Sequence, residues 1–97
     1  MDVRFGDNDL ERLVFDPRFS GRLPPEVVTR YRKVVAFLRR AKDEQDVRAW
    51  PGLRFEKLKE DLAGEYSMRL NRQWRLLADL EGSTTIILQK IDNHYSG

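Results

Sequence analysis

Apolar and polar positions recur with two different periods along this chain, and the change of period divides it. Before Trp50 the spacing is helical. Leu10, Leu13 and Val14 form a short apolar stripe, preceded by Asp7-Asn8-Asp9 and closed by Pro17, so a helix is predicted there. Asn8 and Glu11 have the spacing of a capping box. A longer stripe of Val27, Val28, Tyr31, Val34, Val35 and Leu38 follows Pro24-Pro25-Glu26. Proline is tolerated in a helix's first turn, where its missing N–H has no partner anyway. The pattern fades in the charged stretch Lys42-Asp43-Glu44-Gln45-Asp46, and Trp50-Pro51-Gly52 marks a turn.

From Leu53 the period is two. Leu53 and Phe55, then Tyr66, Met68 and Leu70, then Trp74, Leu76 and Ala78 alternate with more polar positions. Each run reads as a half-buried strand. Glu81-Gly82 is a turn, Thr84 to Ile91 is a β-branched strand, and Val3 with Phe5 suggests a short opening strand. The predicted architecture is α+β, in one domain spanning 1–97. Two N-terminal helices pack on a small, mainly antiparallel sheet of four to five strands.

The register of the middle hairpin can be argued. A turn over Asn71-Arg72-Gln73 pairs Leu70 with Trp74 and Met68 with Leu76, so all four share one face. The same register sets Arg69 opposite Arg75 on the other face, where like charges repel. Either an anion sits between them, or each finds a local carboxylate among Asp61, Glu65 and Asp79.

Composition excludes several functions. Of 97 residues, 40% are hydrophobic, enough for one small core, and no apolar run approaches a membrane span. No basic-then-apolar leader opens the chain, so a cytoplasmic protein is expected. With no cysteine and one histidine, disulfides, thiolate chemistry and a structural zinc site are not expected. Asp7-Asn8-Asp9 invites a calcium loop, but Arg12 stands where the sharp-turn glycine belongs. Lys plus Arg is 18 and Asp plus Glu is 16, a net charge of +2, which permits a polyanion partner without demanding one. Arg30, Arg32, Lys33, Arg39 and Arg40 on the long helix form either a solvated face or a basic surface for phosphate.

Walker, GxGxxG, HExxH and GxSxG patterns are missing. What remains is His94, in Asp92-Asn93-His94-Tyr95, with Lys57, Lys59, Arg69 and Arg75. Cleaving RNA through its own 2′-hydroxyl needs a base for that proton, an acid for the leaving 5′-oxygen and cations around the phosphorane. The substrate brings the nucleophile, so neither metal nor cofactor is required. Histidine serves as acid or base near neutrality, and arginine's planar fork suits phosphate oxygens. The bland reading of His94 is a frayed tail residue.

At this point the residues resemble a known family. The run Leu58-Lys59-Glu60-Asp61-Leu62-Ala63-Gly64-Glu65-Tyr66-Ser67-Met68-Arg69-Leu70-Asn71-Arg72-Gln73-Trp74-Arg75-Leu76 is similar to the central block of HigB toxins. These belong to the RelE-like superfamily of bacterial toxin–antitoxin modules. Their pattern reads roughly L-K-G-D-x-x-G-x-Y-S-I-R-x-N-x-Q-W-R-I. Leu23-Pro24-Pro25-Glu26 resembles the start of the family's long helix, and Asp92-Asn93-His94 falls where members commonly end in Asp-Tyr-His.

The resemblance implies a ribosome-dependent endoribonuclease that cuts messenger RNA in the decoding site of the small subunit and arrests growth. It implies a neutralising HigA-type antitoxin, a helix-turn-helix protein through which alone the complex reaches operator DNA. On the matching positions, His94 would be the acid/base or proton donor, Asp92 its orienting partner, and Arg75 the brace of the scissile phosphate. Lys57, Lys59 and Arg69 would hold RNA backbone or ribosomal RNA, with Arg72, Asn93 and Tyr95 in the same binding set. Lys57 has the weakest claim, since alternation puts it on the face of Leu53 and Phe55. Three departures bear on rate. Asn93 replaces the usual tyrosine, and Glu60 replaces the common glycine. Glu56 stands where some members carry a second histidine, and would act as a base only with a raised pKa. The alternatives are a non-cleaving module that binds RNA, the ribosome or only its antitoxin, and a nuclease that acts without ribosomes. The apolar stripe of the first helix could be buried by an antitoxin or could pack on the sheet.

Overall fold

The computed structural model describes residues 1–58 and 65–93. Strand β1 (Asp2–Phe5) leads into helix α1 (Asn8–Phe15), then the long helix α2 (Pro25–Arg40) and a third, short helix α3 (Glu44–Arg48). A 3-10 turn at Pro51–Leu53 precedes β2 (Glu56–Lys57), β3 (Glu65–Arg69), β4 (Trp74–Glu81) and β5 (Thr85–Asn93). The five strands form one mixed sheet in the order β1-β5-β4-β3-β2, with β1 parallel to β5 and the other neighbours antiparallel.

The α2 stripe behaves as its spacing demands. Val27, Val28, Tyr31, Val34, Val35 and Leu38 are all buried, and they join Met68, Leu70, Leu76, Ala78, Ile86 and Leu88 of the sheet side in one core. Each such side chain taken from water contributes about 1.5–3 kcal/mol before the entropy of ordering is counted. Leu10 and Leu13 of α1 are buried in the same core and Val14 is half-buried against it, so this stripe packs inward. At the centre, the Tyr31 hydroxyl donates a 2.7 Å hydrogen bond to the Leu10 carbonyl and ties α1 to α2.

Several local expectations are corrected. The cap of α1 is Asp7, not Asn8. Asp7 has the extended backbone of an N-cap and accepts the Asp9 N–H at 2.6 Å, so the Asn8–Glu11 box is one residue out of place. The stretch Lys42–Asp46 does not fade into loop, because the Asp43 side chain accepts from Gln45 N and Asp46 N and starts α3, which buries Val47. The strand predicted from Leu53 shrinks to Glu56–Lys57. Pro51 opens a 3-10 turn, and Arg54 leaves it left-handed at φ 50°. Leu53 and Phe55 are buried all the same.

The arginines of α2 fit neither sequence reading as a group. Arg32 turns inward and donates to the carbonyls of Leu13, Asp16 and Phe19, pinning the α1–α2 connection. Arg30 lies over the Trp50 ring and Arg39 over Phe15. Lys33 and Arg40 are exposed.

The hairpin register is as argued. Met68 faces Leu76, Arg69 faces Arg75, and Leu70 N donates to Trp74 O. Asn71 closes the turn by accepting from the N–H groups of Gln73 and Trp74, each at 2.8 Å. In β5 a bulge interrupts the alternation. Ala78 pairs with Leu88 but Leu77 pairs with Lys90, leaving Gln89 as the extra residue. That insertion lets Leu88 and Ile91, three apart, both lie against the core. The Gln89 side chain donates to Asp79 at 3.1 Å.

Burial pushes the Tyr31 phenol well above its ordinary value of 10.0, Arg39 partly offsets this, and Asp7 adds to it. The folded state thus holds this proton more tightly than the unfolded chain. The contribution is complete below pH 10 and is lost as pH rises beyond it. Tyr31→Phe is expected to cost about 1–2 kcal/mol at neutral pH through the lost hydrogen bond. It is also expected to flatten the alkaline fall in melting temperature. Thermal melts of both proteins from pH 7 to above 10 check both outcomes.

Candidate active site

The sheet face opposite the core carries the candidate chemistry. Alternation from Met68, Leu76 and, past the bulge, Ile91 turns Ser67, Arg69, Arg75, Leu77, Lys90 and Asp92 to that side. Cross-strand pairing arranges them in rows. One row is Arg69–Arg75–Asp92, and the next, two residues along each strand, is Glu56–Ser67–Leu77–Lys90. A cleft of about 330 Å³ opens over these rows, lined by Glu56, Leu58, Glu65, Ser67, Arg75, Leu77 and Asp92.

Three sequence-predicted residues therefore meet: Arg75, Asp92 and Glu56. Arg69 joins them as the direct neighbour of Arg75. Among the described residues neither arginine forms an ion pair, while Asp92 pairs with Lys90 at 3.6 Å. The local-carboxylate reading is not realised at Asp79, which accepts from Gln89. Arg75 lines the cleft and Arg69 is its cross-strand neighbour, so a guanidinium there is ready for an anion with several oxygens.

Other candidates are placed elsewhere. Lys57 pairs with Tyr66, which puts it on the far side from Glu56. Asn93 pairs with Trp74, on the face opposite Asp92. Arg72 sits in the β3–β4 turn and lines a separate hollow with Glu26, Asn71 and Gln73. Lys59, Asp61, His94 and Tyr95 lie outside the described residues.

The sequence reading missed Ser67, Leu77, Glu65 and Leu58 as cleft-lining residues. Ser67 and Leu77 were legible as the alternate positions of β3 and β4, but nothing in their type pointed to chemistry. Glu65 was weighed only as a charge partner. Among the described residues no group of three or more His, Cys, Asp or Glu side chains is placed to hold a metal. No helix of theirs is long and apolar enough to cross a membrane.

Comparison with known proteins bears on this arrangement. A family model described as RelE-like toxin of type II toxin-antitoxin system HigB matches residues 3–94. The chain belongs to the HigB-like toxin family. It is 34% identical over 77 residues to Toxin HigB-1 of Vibrio cholerae serotype O1, covering 79% of this chain and 81% of that protein. The fold is shared with the YoeB dimer from Staphylococcus aureus at a TM-score of 0.57 and 19% identity, over 98% of each chain. It is shared too with a YoeB/ParE toxin from Agrobacterium tumefaciens, at 0.58 and 18%, over 98% of this chain and 100% of that one. As a HigB-like member of the RelE-type toxins, the chain is the toxin half of a type II pair with an antitoxin.

The arginine pair yields a stability test. Arg69→Gln removes a like-charge neighbour and is expected to stabilise the HigB-like fold by about 0.2–1 kcal/mol at low ionic strength. The gain shrinks near 1 M salt, where the Debye length is about 3 Å. Phosphate is expected to raise the melting temperature of the wild type more than that of the variant, since a ligand of the native state stabilises it. Thermal melts with and without phosphate, at matched ionic strength, check this.

Proposed function

We propose that this HigB-like toxin is a metal-independent endoribonuclease that cuts messenger RNA on the translating ribosome. The observation carrying the reading is the cleft that gathers Arg75, Asp92 and Glu56, with Arg69 as the cross-strand neighbour of Arg75 and no ion-pair partner for either arginine among the described residues. In the proposed mechanism Arg75 braces the scissile phosphate and Arg69 shares its growing negative charge. The substrate's 2′-hydroxyl attacks, its proton passing to a base, while an acid protonates the leaving 5′-oxygen. Asp92 and His94, two positions apart in sequence, are the proposed acid–base pair. Glu56, across the cleft, is the second carboxylate available as base. Lys57, Lys59, Arg72, Asn93 and Tyr95 are proposed contacts to RNA backbone or ribosomal RNA outside the reacting centre.

Ribosome dependence fits the charge. A net +2 and a cleft with three carboxylates grip free RNA weakly, whereas a ribosome presents the strand already placed. The proposed antitoxin is of HigA type, a helix-turn-helix protein that neutralises the toxin and carries the complex to operator DNA. The proposed setting is the cytoplasm, with residues 1–97 as one domain.

The test is cleavage of a defined message by purified, antitoxin-free protein, mapped by primer extension with and without translating ribosomes. Cuts are expected only with ribosomes. Arg75→Ala is expected to lower the single-turnover rate by about 10²–10³, and His94→Ala by about 10²–10⁴, with melting temperatures held. Cuts without ribosomes establish the free-RNA nuclease instead. Inhibited translation with intact message establishes a non-cleaving binding module.

A further inference from the structure

Ser67 is the buried polar side chain of the cleft. The residue is only 3% exposed, yet it lines the cleft floor between Glu56 and Leu77, its cross-strand neighbours. Among the described residues its hydroxyl makes no hydrogen bond. A hydroxyl in the lining of a cleft is placed to donate to a ligand that enters it. Leu77 beside it puts a half-buried apolar side chain in the cleft, on the sheet face turned away from the core. Lys90 stands next in the same row, exposed and paired with Asp92 at 3.6 Å.

From these positions we infer that the row Ser67–Leu77–Lys90 is a nucleoside subsite beside the phosphate row Arg69–Arg75. The inference rests on the nuclease reading above and adds to it the residues that seat the substrate. Leu77 gives the ribose or base an apolar bed. The Ser67 hydroxyl donates to an oxygen of that nucleotide. Lys90 meets the next phosphate, and its pairing with Asp92 keeps the ammonium at the cleft until RNA replaces the carboxylate. The two rows are two residues apart on each strand, about 6.5–7 Å. A nucleotide that places its phosphate on Arg75 can therefore lay its sugar on the neighbouring row.

Ser67→Ala separates this role from a structural one, because it deletes only the hydroxyl. The expected result is an unchanged melting temperature. Ribosome-dependent cleavage falls roughly tenfold in kcat/KM, the scale of one hydrogen bond to a charged oxygen, and the loss lies mainly in KM. Lys90→Ala is expected to raise KM and to lower the salt dependence of binding by about one phosphate contact, and Lys90→Arg to restore both.

A lower melting temperature for Ser67→Ala with unchanged cleavage per folded molecule overturns the subsite, as does a Lys90→Ala effect confined to kcat. Wild type and Arg75→Ala are assayed alongside. If wild type leaves message intact, the nuclease reading fails by itself. The subsite is then judged by binding of the same message to toxin on stalled ribosomes, where equal affinity of wild type, Ser67→Ala and Lys90→Ala overturns it.

Discussion

Burial of Met68 against Leu76 decides what the rest of this molecule can present. Both residues are fully buried on the sheet side of the core, beneath a helix whose whole apolar stripe is also buried. A slip of one residue would move every side chain of β3 to the wrong face, so the core tolerates a single register. That register forces Arg69 opposite Arg75 and sets Ser67 and Leu77 between Glu56 and Lys90. The repulsion of two arginines is small beside the burial of two large side chains. The core imposes the charge arrangement, and the cleft inherits it.

The bulge in β5 completes the arrangement from the other side. Gln89 is an extra residue between Leu88 and Lys90, held by its hydrogen bond to Asp79. After it, Ile91 returns to the core and Asp92 faces Arg75. An irregularity in backbone pairing thus brings the last carboxylate to the arginines, a use of bulges that recurs near functional sites. The cleft is mixed in charge, with Glu56, Glu65 and Asp92 around Arg75, which suits placing one phosphate better than gripping a long polyanion.

Much of this was legible in the chain. The helical stripe from Val27 to Leu38, the register of the hairpin and the meeting of Arg69 with Arg75 all follow from periodicity and burial. Arg75, Asp92 and Glu56 were singled out as site residues and share one cleft. What was not legible depends on short-range competition or on distant partners. Asp7 outcompetes Asn8 as a cap because its backbone is already extended, and Asp43 starts a helix inside a stretch whose charges read as loop. Arg32 looks like a surface cation until three carbonyls of the α1–α2 connection converge on it. The opposite facings of Lys57 and Glu56, and of Asn93 and Asp92, needed the strand pairings themselves.

The placement of β5 also bears on how such a protein is made. The strand lies between β1 and β4, pairing Asp2 with Thr85 on one side and Arg75 with Asp92 on the other. The first strand synthesised therefore waits for the last before it has any neighbour in the sheet. Contacts so far apart in sequence close late, after the local helices. A chain still emerging during synthesis has its α2 helix but no completed sheet, and Arg75 has yet to meet Asp92. Assembly of the cleft therefore waits for β5, because Arg75 and Asp92 meet only when that strand is in place.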